Sequence, residues 1–258
     1  VASRLPTLLH SVYSAHVAEL QGKFSTLGVT GEVDLISKAL RESFLEADHD
    51  FMAVARDKRW VDGASAVAAL LVHGFEAADK QTVPGLEGGV AKVFVAWLGD
   101  CKAYLLRGSK TKSLTKDHTP SRTDEYERVK GAGGKVLELG GIRKVGRKDK
   151  YDKYKAKIVK GAFDDVLWSP TSRAFGNIRL KAPCQVVSSE PEMVMHTLTP
   201  DDWALVLVSP GVSDALGEDG IAEVCRQQLL HEACPNPVEA AKNLVCEAKR
   251  CGRSNGSL

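Results

Sequence analysis

The chain has 258 residues, 43% hydrophobic and 26% charged, which is the composition of a globular protein large enough to bury a core as one domain. Its formal net charge of only +2 gives no direct signal for nucleic acid or an acidic membrane as the main partner. The sequence has neither an apolar run of about 18 residues nor a signal-peptide pattern at its start. It therefore predicts no membrane span and a cytoplasmic, intracellular location.

The cysteines give the same indication about location. There are six of them, and no two form a Cys-x-x-Cys pair. This pattern favours reduced, buried thiols over a disulfide framework or a zinc site.

Two amphipathic helices are predicted to open the chain, because apolar residues recur at helical spacing from Ser3 to Leu20 and again from Val33 to Phe44. After a Gly and Pro containing loop, "AKVFVAWLGDCKAYLLRG" predicts two strands joined by a turn at Gly99–Lys102. Further strands are expected in "QVVSSEPEMVMHTL" and "DWALVLVS".

A last helix is predicted to start at Asn236, a capping residue followed by Pro237. Its expected core residues are Ala240, Ala241, Leu244, Val245 and Ala248. Strands in hairpin order, with helices grouped before and after them, favour an α+β layered protein over a parallel doubly wound sheet.

Five blocks of the sequence carry a resemblance to a known family: "DGASAVAALL", "VAWLGDCKAYLLRGSKTKSLTKDHTPSRTDEYERVKGAGGKV", "SRAFGNIRLK", "SEPEMVMHTLTPDDWALVLVSPGVSD" and "EAKRCGRSNGSL". They resemble, in the same order, blocks of the type 2C, metal-dependent Ser/Thr protein phosphatases. The resemblance implies a single domain over residues 1–258, built as two packed antiparallel β-sheets flanked by helices on both sides. The Asp-Gly-His-Gly-Gly motif of the family has no counterpart in these residues, so the N-terminal catalytic motif and N-terminal strands are expected to be missing. A start upstream of Val1 would account for this equally well.

The resemblance also implies a chemistry in which aspartates hold two Mg²⁺ or Mn²⁺ ions and a bridging water. The family places metal-ligating aspartates in Ser-Asp-Gly and in a late Gly-Ser-x-Asp-Asn block, where this chain has Pro210 and Asn255. Proline has no side-chain oxygen, and an amide lacks the negative charge of a carboxylate. Asn177 likewise stands where the family usually has aspartate. We therefore expect no cofactor, and Mg²⁺ or Mn²⁺ only if the protein is active.

Four other residues match positions that the family uses. Asp117 and Asp214 match acids around a third, weaker metal, so they either support the fold or hold a loosely bound cation. Asp100 and Arg173 match supporting positions, and we expect a turn residue and a hydrogen-bonded or ion-paired support. No catalytic residue is predicted.

A basic segment lies beside the expected cleft. Between Arg143 and Lys160 there are nine Lys or Arg residues against two Asp. The segment predicts either a solvated face or a docking surface for an acidic or phosphorylated protein or an acidic polymer. The docking surface would comprise Arg143, Lys144, Arg147, Lys148, Lys150, Lys153, Lys155 and Lys157.

Two functions remain open. The favoured hypothesis is a pseudophosphatase, a catalytically impaired protein that binds or scaffolds protein partners, with a structural role in a larger assembly also possible. The alternative is an active Mg²⁺- or Mn²⁺-dependent protein Ser/Thr phosphatase that acts on phosphoserine and phosphothreonine.

Overall fold

The computed structural model describes residues 4–19, 24–75, 90–139, 141–147, 168–230 and 235–254. The helices are α1 (Leu5–Glu19), α2 (Phe24–Lys58), α3 (Thr123–Gly131), α4 (Ile178–Lys181), α5 (Pro210–Leu230) and α6 (Pro237–Ser254). The strands are β1 (Gly63–Ala64), β2 (Ala66–Phe75), β3 (Val90–Leu98), β4 (Lys102–Arg107), β5 (Lys110–Ser113), β6 (Gly134–Leu139), β7 (Ile142–Arg147), β8 (Trp168–Ser169), β9 (Phe175–Gly176), β10 (Glu192–Thr197) and β11 (Asp202–Val208). The predicted opening and closing helices are therefore present.

The two main sheets are antiparallel and have three strands each. One has the order β10-β3-β2, and the other has the order β11-β4-β5. A smaller sheet, β6-β7-β8, and the pair β1-β9 lie beside them. Among the described strands, the central strands β3 and β4 hold most of the buried apolar side chains, since a central strand is covered on both faces.

Alternating side chains of these strands build the layers. Val93, Val95 and Trp97 of β3 pack against Ala103 and Leu105 of β4, so the two sheets face each other. The other face of β3 packs on α1 and α2, while the other face of β4 packs on α5 and α6. The order of layers is thus helices, sheet, sheet, helices, and the predicted fold class is confirmed.

The turn after Leu98 differs from a hairpin. β3 and β4 are both present where the sequence predicts strands, but β3 pairs with β2 and β10, whereas β4 pairs with β5 and β11. The turn therefore carries the chain from one sheet to the other.

The strand predicted from Gln185 begins only at Glu192. Val186 and Val187 instead pack in a separate core with Leu180, and their backbone N–H groups donate to the carbonyl of Leu180. The first half of this apolar run thus packs against α4 and does not form part of the sheet.

Helix α6 begins as predicted. The side chain of Asn236 accepts hydrogen bonds from the N–H groups of Val238 and Glu239, each at 3.1 Å. Of the expected core residues, Ala240, Leu244 and Ala248 are buried. The prediction was wrong for Ala241 and Val245, which are exposed because the contact of α6 with α5 is narrower than its apolar stripe.

The described cysteines are free thiols, but only Cys225 among them is buried, so the expectation of buried thiols was wrong for the others. Among the described helices, none is both long and apolar enough to cross a membrane.

Candidate functional site

The turn between β3 and β4 places Asp100 at one end of the sandwich. Gly99 has a φ of 79°, and a Cβ at this position would lie 2.1 Å from the Ser65 hydroxyl oxygen. The chain can therefore make this close turn only with glycine. The Ser65 hydroxyl donates a hydrogen bond of 2.6 Å to Oδ1 of Asp100, which fixes the carboxylate beside the start of β2.

Strand β11 ends at the same place. It runs antiparallel to β4, and its last residue, Val208, lies opposite Lys102, two residues after Asp100. Pro210 follows and begins α5, with Asp214 four residues further along. Proline is tolerated here because the first residue of a helix needs no N–H donor. The structure thus brings Asp100, Pro210 and Asp214 to one end of the sandwich.

Asp117 reaches this end as well, but it is already paired. Its carboxylate accepts a hydrogen bond from the ammonium group of Lys102, and both side chains are partly buried. A tethered lysine therefore neutralises one of the two predicted metal-binding acids.

The carboxylates at this end contribute to raised pKa values of two neighbouring side chains. Burial raises the pKa of Cys101 to about 11, and the carboxylates of Asp100 and Asp117 add to the increase. Burial also raises the pKa of Tyr104, with Asp117 and Asp214 contributing against the opposing charge of Lys102. This end of the sandwich is thus electronegative.

A second cluster surrounds the buried carboxylate of Glu125. Arg173 donates from Nε to Oε1 at 2.8 Å, and Arg128 donates from Nη2 to Oε2 at 3.0 Å. Burial alone would raise the pKa of Glu125, but hydrogen bonds from Arg173 and Ser172 outweigh it and lower the pKa to about 2. Arg173 also donates to the carbonyl of Glu190 at 2.9 Å, so it joins α3 to the segment before β10.

Oxygen atoms of Asp124, Glu125 and Glu192 lie within 4.8 Å of one another, the spacing of a candidate metal site. Arginines already bind these oxygens. Arg122 donates to both Asp124 and Glu192, and its bond to Oε1 of Glu192 is 2.6 Å long. The cluster is therefore an ion-pair network in which the arginines take the place that a cation would need.

His118 connects this network to the turn. Its backbone N–H donates to the Gly99 carbonyl at 2.8 Å, and its ring Nδ1 accepts from the Gly99 N–H at 3.1 Å. The ring is fully buried and stacks on Trp97. Burial and the charge of Arg173 lower the pKa of His118 to about 4, so the ring is neutral at physiological pH. His118 thus holds both backbone groups of the residue before Asp100.

The remaining predicted residues are partly outside the described chain. Asn255 and the lysines at 148, 150, 153, 155 and 157 are not among the described residues. Of the others in the basic segment, Arg143 is exposed opposite Glu138, and Arg147 donates to the carbonyl of Ala182. The sequence predicted Arg173 as an ion-paired support, but it did not predict Glu125 as the partner, the other arginines of the network or Lys102. A signal for the network was the Glu125 and Arg128 spacing, which places both side chains on one helix face.

Comparisons with known proteins identify the family. The profile described as "Protein phosphatase 2C" (PP2C) matches residues 9–256. The chain belongs to the protein phosphatase 2C family. Its PP2C relatives include "Protein phosphatase 2C 56" of Arabidopsis thaliana, 28% identical over 213 residues, which cover 83% of this chain and 39% of the relative. "Probable protein phosphatase 2C 9" of Oryza sativa subsp. japonica is 32% identical over 165 residues, covering 64% and 34% respectively. The chain thus spans about two fifths or less of the length of these two relatives.

Solved structures agree on the PP2C fold. A serine-threonine phosphatase 2C from Toxoplasma gondii superposes with a TM-score of 0.73 at 21% identity, covering 98% of this chain and 73% of that chain. A sex determining protein of C. elegans gives a TM-score of 0.64 at 19% identity, covering 95% and 48%. At these identities the likeness establishes the fold alone.

PP2C enzymes are metal-dependent, but the described residues of this chain do not fit a pair of divalent ions. Such ions need several carboxylate oxygens free to coordinate them. Pro210 offers none, Asp117 is paired with Lys102, and arginines take up the carboxylates around Glu125. Asp100, Asp214 and Glu218 are the described acids that remain near this end, and one oxygen of Asp100 already accepts the Ser65 hydroxyl.

Proposed function

We propose that this chain is a PP2C-fold protein that does not hydrolyse phosphoesters and that works by binding other proteins. The observation that carries the proposal is Pro210, which stands at the end of β11 beside Lys102 and Asp100. The resemblance implies a metal-ligating aspartate at this position. A proline there cannot coordinate a metal through its side chain.

The electrostatics of this end support the same proposal. A phosphate ester carries negative charge and would meet the field of Asp100 and Asp214, the carboxylates of this end that Lys102 does not pair. Metal-dependent phosphatases overcome such repulsion with their cations. Lys102 supplies a single positive charge, which the Asp117 carboxylate neutralises by forming an ion pair with it. Phosphate binding is therefore disfavoured at this end.

The test is Mn²⁺-dependent hydrolysis of an aryl phosphate by the full-length protein. We expect no turnover above the rate in buffer. A double substitution, Pro210→Asp with Asn255→Asp, restores both carboxylates and is expected to raise the rate, because it adds charged oxygen ligands. The matched control is Pro210→Asn with the natural Asn255, which adds an oxygen without charge.

Turnover by the natural protein that a chelator abolishes would overturn the proposal. The protein would then be an active Mg²⁺- or Mn²⁺-dependent Ser/Thr phosphatase, the function to which the family match over residues 9–256 points.

A further inference from the structure

A small polar cleft opens beside Asp100. Its volume is about 250 Å³, and its walls come from the start of β2, the β3–β4 turn and the segment that begins at β8. Its polar lining residues are Ser65, Asp100, Ser169, Thr171 and Asn177, and Trp168 forms an apolar wall. Ligand pockets for small molecules usually measure about 300–1,000 Å³, so this cleft suits a single side chain rather than a whole cofactor.

Two of the lining groups have unused hydrogen-bonding capacity. The Ser65 hydroxyl donates to Oδ1 of Asp100. Within the described part of the chain, no group donates to Oδ2 of Asp100. The side-chain amide of Asn177 likewise makes no hydrogen bond to the described residues. By contrast, the hydroxyl groups of Ser169 and Thr171 bond to each other at 3.2 Å.

The position of Asn177 is fixed by its surroundings. Its backbone adopts a left-handed conformation with a φ of 54°, and its N–H donates to the carbonyl of Asp62 at 2.9 Å. A Cβ on Gly63 would lie 2.3 Å from the Asn177 amide nitrogen, so the amide packs directly over this glycine. The amide is therefore held at the edge of the cleft.

The negative charge of the cleft indicates the chemical class of its ligand. Among the described residues that line the cleft, Asp100 is the one charged residue, so this lining attracts a cation and repels phosphate. A carboxylate oxygen and an amide oxygen both accept hydrogen bonds, which suits a ligand with several N–H donors. The guanidinium group combines positive charge with a planar set of donors.

We propose that this cleft binds the guanidinium group of an arginine side chain from a partner protein, with Asp100 as its charged acceptor. The proposal rests on the proposed function, because it names the partner chemistry of a protein that binds rather than hydrolyses.

The test is a titration of the full-length protein with N-acetyl-arginine methylamide, followed through the NMR signals of Ser65 and the Asn177 amide. The matched ligand is the citrulline analogue, which has nearly the same shape but no charge. We expect saturable shifts with arginine and about tenfold weaker binding of citrulline, because a hydrogen bond to a charged group is lost. Asp100→Asn is expected to weaken arginine binding about tenfold, while its amide oxygen can still accept the Ser65 hydroxyl.

Asp214→Asn is the control variant, since it removes a carboxylate from the same end of the sandwich but outside the cleft lining. It is expected to leave arginine binding within about twofold. Equal binding of arginine and citrulline, or an Asp100→Asn variant that binds arginine normally, would overturn the proposal, as would tighter binding of phosphoserine at these signals. Metal-dependent hydrolysis of an aryl phosphate by the same sample would instead contradict the proposed function, so the two failures are distinguishable.

Discussion

At the residue scale, Glu125 is a buried, ionised group that two arginines and a serine contact. It is 1% exposed and bonds to Arg173, Arg128 and Ser172. Replacing it as Glu125→Gln leaves the arginines without their buried countercharge. We expect a loss of about 3–5 kcal/mol in the free energy of unfolding, measured by urea denaturation.

Glu127→Gln on the same helix is the matched control. Glu127 is exposed and pairs only with Lys130 at 3.8 Å, so its loss is expected to cost less than about 1 kcal/mol. Equal effects of the two substitutions would contradict a structural role for the arginine network.

His118 predicts a dependence of stability on pH. Its pKa is lowered from 6.5 to about 4 in the folded protein. Above pH 6.5 the ring is neutral in both states, so it has no effect. As the pH falls below 6.5, the unfolded chain takes up a proton that the folded chain does not, which favours unfolding down to about pH 4. The accumulated loss is about 3 kcal/mol.

The measurement compares unfolding free energies of the natural protein and His118→Asn between pH 7 and 4. Asparagine can still accept the Gly99 N–H but does not titrate. The unfolding free energy of the natural protein should fall more than that of His118→Asn over this range. The pKa of His196 is also lowered by burial, but both proteins contain His196, so its effect cancels when the two unfolding free energies are subtracted. Parallel curves for the two proteins would show that His118 titrates normally.

At the element scale, the β3–β4 turn is the place where a single substitution is expected to lower the free energy of unfolding strongly. Gly99→Ala places a methyl group 2.1 Å from the Ser65 hydroxyl oxygen at a φ of 79°. Gly108→Ala is the control, because its φ is also positive, at 52°, but nothing lies within 4 Å. We expect the control to lose about 1 kcal/mol of unfolding free energy and Gly99→Ala to lose about 1–3 kcal/mol more. Equal losses in thermal or urea unfolding would show that the close approach to Ser65 is not rigid.

The elements themselves were largely predictable because their signals are local. Apolar periodicity located α1 and β11, and the Asn236 cap located the start of α6. The fact that the chain passes from one sheet to the other at Gly99 was not predictable from local signals. A tight turn between two apolar strands has the same local sequence whether the strands pair with each other or with others, and the pairing depends on distant strands such as β10.

At the scale of the whole molecule, the family resemblance correctly gave the layered fold. The site was only partly predictable. The family resemblance predicted that Pro210 stands where relatives have a metal ligand, but the pairing of Asp117 with Lys102 depends on two segments that the fold brings together. Arg173 was expected to be an ion-paired support, but its partner Glu125 was missed for the same reason, because the two residues are 48 positions apart.

A calorimetric titration of the full-length protein with Mn²⁺ measures whether this PP2C fold holds a dinuclear metal centre, and it needs neither a substrate nor a partner. We expect either no measurable heat of binding or one weak site that Asp214→Asn abolishes. Two tight sites per chain would contradict this expectation, because they would mean that the cage forms in spite of Pro210.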